Sequence, residues 1–141
     1  MKHPHAHIRI DFPEGCSVGP GKIALLEAVE RTGSLSSAAR SLGVSYRRAW
    51  LLLHSVNDSF VEAAVELSTG GKDGGGSRLT TFGKALIRAY RRFESEADNL
   101  ATRHFGSMKA RSVAGSGPAP IRRPLPRALQ RPTPARKRTA H

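Results

Sequence analysis

The sequence lacks several features that would point to other classes of protein. It holds one cysteine, Cys16, which excludes an intrachain disulfide and a zinc site built from cysteines. No apolar run reaches the roughly eighteen residues that a membrane-spanning helix needs. The first residues also lack the apolar stretch of a secretory signal. We therefore expect a reducing, cytoplasmic location and no membrane partner.

Acidic residues are missing from the last part of the chain. The 141 residues carry a formal net charge of +12. All 11 Asp and Glu lie in residues 1–102 with 13 of the 23 Lys and Arg, whereas residues 103–141 hold the other 10. Six of the nine prolines lie beyond residue 106. We expect 106–141 to be a disordered, basic, Pro/Arg-rich tail that attracts polyanions regardless of their sequence.

Residues 34–53 have the pattern of two helices joined by a tight turn. Ser34 and Ser45 stand where a side-chain oxygen caps a helix, and both helix N-termini could face phosphates. Gly43 lies between the helices, where a sharp reversal favours positive φ. An αα-hairpin in an ordinary helical core is the alternative explanation of this pattern. The apolar residues spaced to hold the pair together are Leu42, Val44, Ala49, Leu52 and Val56.

The second helix of this pair is the candidate recognition helix for DNA. Its predicted outer face begins with Tyr46, Arg47 and Arg48 and continues with Trp50 and His54. An aromatic and two arginines at a helix start suit the DNA major groove. Arg47 is the candidate for a bidentate contact to guanine, and Arg48 for a phosphate contact. Tyr46 would touch a base methyl or a phosphate, and Trp50 would face either the DNA or the core.

The elements around the helix pair predict a winged helix-turn-helix. A first helix covers 20–32, and short strands at 65–67 and 78–80 flank a loop with five glycines in ten residues. Such a wing would bring Lys72 and Arg78 to phosphates or the minor groove. The glycines match neither the P-loop nor the dinucleotide pattern, and no catalytic set is visible. We expect no enzyme activity, no metal and no cofactor.

A long helix is predicted over 82–103, capped by Thr81. One stripe of this helix has the heptad-like spacing of a helix–helix interface. The stripe could merely cover the core, but the helix is longer than so small a domain needs. We therefore expect a two-fold homodimer with two recognition helices on one face of the DNA. The stripe consists of Leu86, Tyr90, Phe93, Ala97 and Leu100.

The first residues form a segment of their own, 1–16, ahead of a domain at 17–105. Alternation over 8–12 predicts a half-buried strand. His3, His5 and His7 would share one face of an extended chain and could bind a divalent metal. We expect an exposed, frayed terminus without a metal.

Three runs resemble a known family. They are Thr-Gly-Ser-Leu-Ser-Ser-Ala-Ala-Arg at 32–40, Val-Ser-Tyr-Arg-Arg-Ala-Trp at 44–50 and the glycine-rich run at 70–80. Together they resemble the DNA-binding domain of ModE-type, molybdate-responsive regulators, within the LysR-type winged helix-turn-helix group, over about residues 17–100. The resemblance implies a dimeric transcription regulator with Ser45, Tyr46, Arg47 and Trp50 on the recognition helix, Lys72 on the wing and a dimer helix at 82–103.

The chain after residue 105 departs from that family. ModE-type regulators carry a separate C-terminal molybdate-binding region of β-strands, whereas this stretch is short, proline-rich and basic, so we expect no molybdate site here. The overall prediction is a mainly α fold with a small β-wing that binds specific sequences in double-stranded DNA. The alternative is a nucleoid-type protein that covers DNA or RNA non-specifically through its tail.

Overall fold

The computed structural model describes residues 3–68 and 76–111. No helix within these ranges is long and apolar enough to cross a membrane. In the described part of the chain, two antiparallel hairpins and four helices follow one another. They are β1 (Ile10–Asp11), β2 (Ser17–Val18), α1 (Pro20–Thr32), α2 (Leu35–Leu42), α3 (Tyr46–Ser59), β3 (Val65–Leu67), β4 (Ser77–Leu79) and α4 (Thr81–Phe105).

The helix-turn-helix is bounded as the sequence predicts. The Ser34 and Ser45 hydroxyls cap α2 and α3, each accepting a 3.1 Å hydrogen bond from the main-chain N–H three residues further on. Gly33 and Gly43 end α1 and α2 at φ values of 76° and 66°. This left-handed conformation is accessible to glycine at little cost. Helices α1–α3 followed by the β3–β4 hairpin form a winged helix-turn-helix, so the predicted fold class is confirmed.

The start of α4 differs from the prediction by one residue. The cap is Thr80 rather than Thr81, because the Thr80 hydroxyl accepts a 3.0 Å hydrogen bond from the Gly83 N–H. The Thr80 N–H also donates to the carbonyl of Ala64 at 3.0 Å. Thr80 therefore leaves strand β4, which ends at Leu79, and α4 continues to Phe105, two residues past the predicted end.

The core is built around α1, which packs on α2, α3, β4 and α4. The apolar face of α1 is wider than one packing stripe needs. The structure buries all of it within one chain, because α1 has neighbours on several sides. The residues concerned are Ile23, Leu25, Leu26, Ala28 and Val29.

The apolar set predicted to hold α2 and α3 together is only partly buried. Ala49 and Val56 lie in the core, whereas Leu42, Val44 and Leu52 are half-buried at its edge. Leu53 is fully buried and was missed by the pattern. Its position in a run of three leucines hides which of the three faces inward.

The N-terminal segment is docked on α4 rather than frayed. The Ala6 N–H donates to Asp98 at 2.7 Å, and the Tyr90 hydroxyl donates to the Ile8 carbonyl at 2.8 Å. The hydrogen bond from Ala6 is the main reason why the pKa of Asp98 lies below its ordinary range. The strand predicted over 8–12 shortens to β1, which pairs Ile10 with Val18 of the unpredicted β2. Residues 3–18 thus belong to the same compact unit as the helices, which ends at Met108.

Candidate nucleic-acid interface

The first two turns of α3 present polar and aromatic side chains to solvent. Ala49 is fully buried and fixes the rotation of the helix about its axis. Arg47 lies nearly opposite Ala49 and faces outward, and Tyr46 and Arg48, in the first turn of the helix, are exposed as well. The positive N-terminal end of the α3 dipole lies at the same place and adds to the attraction for phosphate. The arrangement suits an anionic, groove-shaped partner.

Trp50 lies on the outer face of α3, with 42% of its surface exposed. Its ring stacks on that of His54, one turn further along, with 3.8 Å between centroids and 36° between planes. Stacking restricts the rotamers of both side chains before any partner arrives. The sequence left open whether Trp50 faces outward or inward, and the structure places it outward beside Tyr46.

Leu51 is an exposed apolar residue on α3 whose exposure the sequence pattern did not indicate. It follows Arg47 by four residues, so the two share one side of the helix. The leucine run again explains the omission. Since Leu53 is buried and Leu52 half-buried, Leu51 is the member left in solvent, where it could contact a thymine methyl.

The base of the wing is attached to the start of the helix-turn-helix. The Ser77 N–H donates to the carbonyl of Gly33 at 2.9 Å, and the Ser68 N–H donates to that of Gly76 at 2.9 Å. A Cβ on Gly76 would lie 3.1 Å from the Ser68 hydroxyl, so the two strands approach closely there. The base of the wing is thereby held at the end of α1. Lys72 lies in 69–75, outside the described residues.

Arg78 occupies the outer side of β4 and pairs across the hairpin with Glu66 of β3. Their side chains are 3.2 Å apart, and both are largely exposed. Solvent screens such a pair, so it holds Arg78 weakly and leaves the guanidinium available to phosphate.

Asn57 joins α3 to the wing. Its Oδ1 accepts hydrogen bonds from the N–H groups of Ala64 and Val65 at 2.9 and 3.1 Å, and its Nδ2 donates to the Val65 carbonyl at 3.0 Å. The amide therefore fixes where β3 begins relative to the recognition helix. Sequence reasoning missed this role, because nothing in a helical pattern shows that a polar residue will meet a strand eight positions later.

The predicted dimer stripe is divided between the core and the surface. Tyr90 is 2% exposed and belongs to the core of its own protomer, where burial raises the pKa of its hydroxyl. Leu86 and Ala97 are half-buried. Phe93 and Leu100 are 50% and 49% exposed. Within α4 no residue after Tyr90 is buried, so the second half of the helix extends past the core.

Arg91 fixes α4 against α1. Its guanidinium donates to Glu27 of α1 and, at 2.8 Å, to Glu94 one turn further along α4. The hydrogen bonds to Glu27 are the main reason why the pKa of Arg91 is raised, so the group stays charged at any physiological pH. The direction of the apolar side chains on α4 is thus set from within the protomer.

No family model matches the chain. Several individual curated proteins are similar to it in sequence. The transcriptional regulator ModE of Yersinia pestis is 45% identical over 71 residues, which are 50% of this chain and 27% of that protein. The molybdenum-pterin-binding protein MopB of Rhodobacter capsulatus is 43% identical over 86 residues, which are 61% of this chain and 32% of that protein. The molybdenum transport protein ModE of Azotobacter vinelandii is 35% identical over 98 residues, which are 70% of this chain and 36% of that protein.

The chain thus spans about a third of the length of the curated relatives it matches, from 27% to 36% of each. Within that span the resemblance to ModE-type regulators is confirmed. The solved structure of a CbnR_DBD–DNA complex is 20% identical, with a TM-score of 0.49, and the match covers 63% of this chain and 97% of that one.

Proposed function

We propose that this chain is a sequence-specific, double-stranded DNA-binding regulator of transcription that acts in the cytoplasm by binding and not by catalysis. The observation that carries the proposal is the start of α3, where Tyr46, Arg47 and Arg48 are exposed beside a capped helix N-terminus. A helix with this outer face fits the major groove. Relatives that are named transcriptional regulators support the same function.

Each side chain on this surface has a role that follows from its chemistry. Arg47 reads a guanine, because a guanidinium can donate two hydrogen bonds to that base edge. Arg48 binds phosphate. Tyr46 and the Trp50–His54 stack offer apolar surface to base methyl groups and sugars. The remaining proposed contacts go to the phosphate backbone or the minor groove, from the helix caps Ser34 and Ser45 and from Lys72 and Arg78 of the wing.

We also propose that the regulator is a homodimer joined through the second half of α4. Phe93 and Leu100, seven residues apart, expose large apolar surfaces on one side of the helix, with Ala97 between them. An antiparallel pair of such helices would bury both sets. Leu86 would join at the edge, whereas Tyr90 is already used by its own core. A dimer implies two half-sites about one or two turns of DNA apart.

The test is selection of bound fragments from random DNA with the full chain, followed by affinity measurements on the selected site. We expect a palindromic motif. The variant Arg47→Ala should weaken binding to it by roughly 5- to 150-fold, about 1–3 kcal/mol, and relax preference at one base position. The matched control is Arg88→Ala, which removes the same charge from an exposed position on α4 and should leave base preference unchanged.

The non-specific alternative predicts a different result. If binding acts through the basic tail at 106–141, no motif is recovered, and a chain ending at Arg111 loses almost all affinity. A regulator keeps its base preference after that truncation while its overall affinity and salt dependence fall. Equal loss of affinity on all sequences in Arg47→Ala would reduce Arg47 to a phosphate contact.

A further inference from the structure

Three histidines lie on one side of the N-terminal segment. Along residues 3–7 exposure alternates, with His3, His5 and His7 exposed and Pro4 and Ala6 half-buried. Alternate side chains of an extended chain point the same way. The half-buried residues therefore face the body of the domain, and the three imidazoles share the solvent side.

Asp98 of α4 orients one of these imidazoles. Its Oδ2 lies 2.7 Å from Nδ1 of His5, while its Oδ1 accepts a hydrogen bond from the Ala6 N–H. A neutral imidazole donates through one nitrogen only, so the tautomer that donates to Asp98 keeps a free lone pair on Nε2. A carboxylate behind a histidine is the arrangement that orients imidazole ligands at metal sites and raises their basicity.

The ring of His7 lies where a second ligand would be needed. The centroids of His5 and His7 are 5.2 Å apart, with the ring planes at 80°. A metal–nitrogen bond of about 2.1 Å places each ring centroid roughly 3.2 Å from a bound ion, and a tetrahedral angle then separates the two centroids by about 5 Å. The centroid distance therefore leaves room for one ion between the two rings.

We propose that His5 and His7 form a binding site for a first-row divalent cation such as Zn²⁺, with Asp98 as the positioning carboxylate behind His5. Among residues 3–68 and 76–111 no three His, Cys, Asp or Glu side chains form a ready ligand set. In its smallest form the proposed site is a two-imidazole chelate that water completes. His3, which lines the same cleft as His5 and Asp98, is the candidate third ligand.

Metal binding and docking of the segment are coupled in this arrangement. A cation on His5 Nε2 polarises the ring, which strengthens the hydrogen bond from Nδ1 to Asp98 and holds the segment on α4. By thermodynamic reciprocity, a docked segment binds the cation more tightly than a free one. The residue that shows this coupling is Ala6, whose amide hydrogen is bonded to the same carboxylate.

The first measurement is calorimetric titration of the full chain with Zn²⁺. We expect one ion per chain, and His5→Gln and His7→Gln should each weaken binding at least tenfold. Asp98→Asn, which leaves both imidazoles in place, should weaken it roughly 10- to 100-fold. The control is His104→Gln on α4, which should leave the affinity unchanged.

The second measurement is hydrogen exchange at the Ala6 amide. Zn²⁺ should slow this exchange in the unaltered chain and leave it unchanged in Asp98→Asn. Binding that survives both His5→Gln and His7→Gln but fails in His3→Gln would place the ion elsewhere and overturn the proposal. Unaltered affinity in Asp98→Asn, or no binding of Zn²⁺ by the full chain, would also overturn it.

Discussion

The carbonyl of Gly33 accepts a 2.9 Å hydrogen bond from the N–H of Ser77. Gly33 ends α1 at a φ of 76°, and Ser77 begins β4, so this bond ties the wing to the residue just ahead of α2. Gly33 therefore ties the base of the wing to the start of the helix-turn-helix, while Asn57 ties β3 to the recognition helix.

Replacing Gly33 with Ala should lower the free energy of unfolding by about 1–2 kcal/mol, because a side chain in the left-handed region is strained. A Cβ there would meet nothing within 4 Å, so the loss would come from the backbone alone. Urea unfolding followed by circular dichroism measures it. The control is Gly21→Ala in the first turn of α1, which also has open space but no positive φ and should cost nothing. Equal losses in the two variants would contradict the explanation.

Features set by neighbouring residues could be predicted from the sequence, whereas contacts between distant residues could not. The caps Ser34 and Ser45 and the turn residue Gly43 were predictable because each acts within a few residues of its own position. The contact between Ala6 and Asp98 spans 92 positions, and no local pattern contains it. The sequence also could not show which leucine of the run at 51–53 faces the core, because the three side chains are identical. Likewise, only the packing of α3 against the core shows that Trp50 faces outward.

Asn57→Ala should destabilise the fold by about 1–3 kcal/mol, because the N–H groups of Ala64 and Val65 and the Val65 carbonyl would lose their partner. Asn57→Asp keeps the acceptor and loses the donor, so its cost should be smaller. Chemical denaturation of the two variants measures both effects. Asp58→Ala, an exposed neighbour on α3, is the control and should stay near the unaltered protein. If Asn57→Ala and Asp58→Ala behave alike, the amide does not hold β3.

Gly83→Ala should disturb the junction of α4 with the loop before β3. A Cβ at this position would overlap the carbonyl oxygen of Ala64, which is backbone and moves only with the chain that leads into β3. Elsewhere in a helix, alanine is more favourable than glycine by up to about 1 kcal/mol, so a loss of roughly 1–3 kcal/mol here would report the clash and not helix propensity. Thermal unfolding shows whether the variant is less or more stable than the unaltered protein. A rise in stability would show that α4 does not cross the Ala64 carbonyl so closely.

The proposed dimer is tested on the exposed apolar residues of α4. Phe93→Glu and Leu100→Glu should each weaken dimerisation by about 2 kcal/mol or more, roughly 30-fold, because each places a charge in an apolar contact. Since both side chains are half-exposed in the protomer, its folding should change little. Sedimentation equilibrium measures the association. Ser95→Glu adds the same charge on another exposed side of α4 and should leave the dimer intact. A full chain that stays monomeric at high concentration, or a dimer unchanged in both glutamate variants, would contradict the proposed interface.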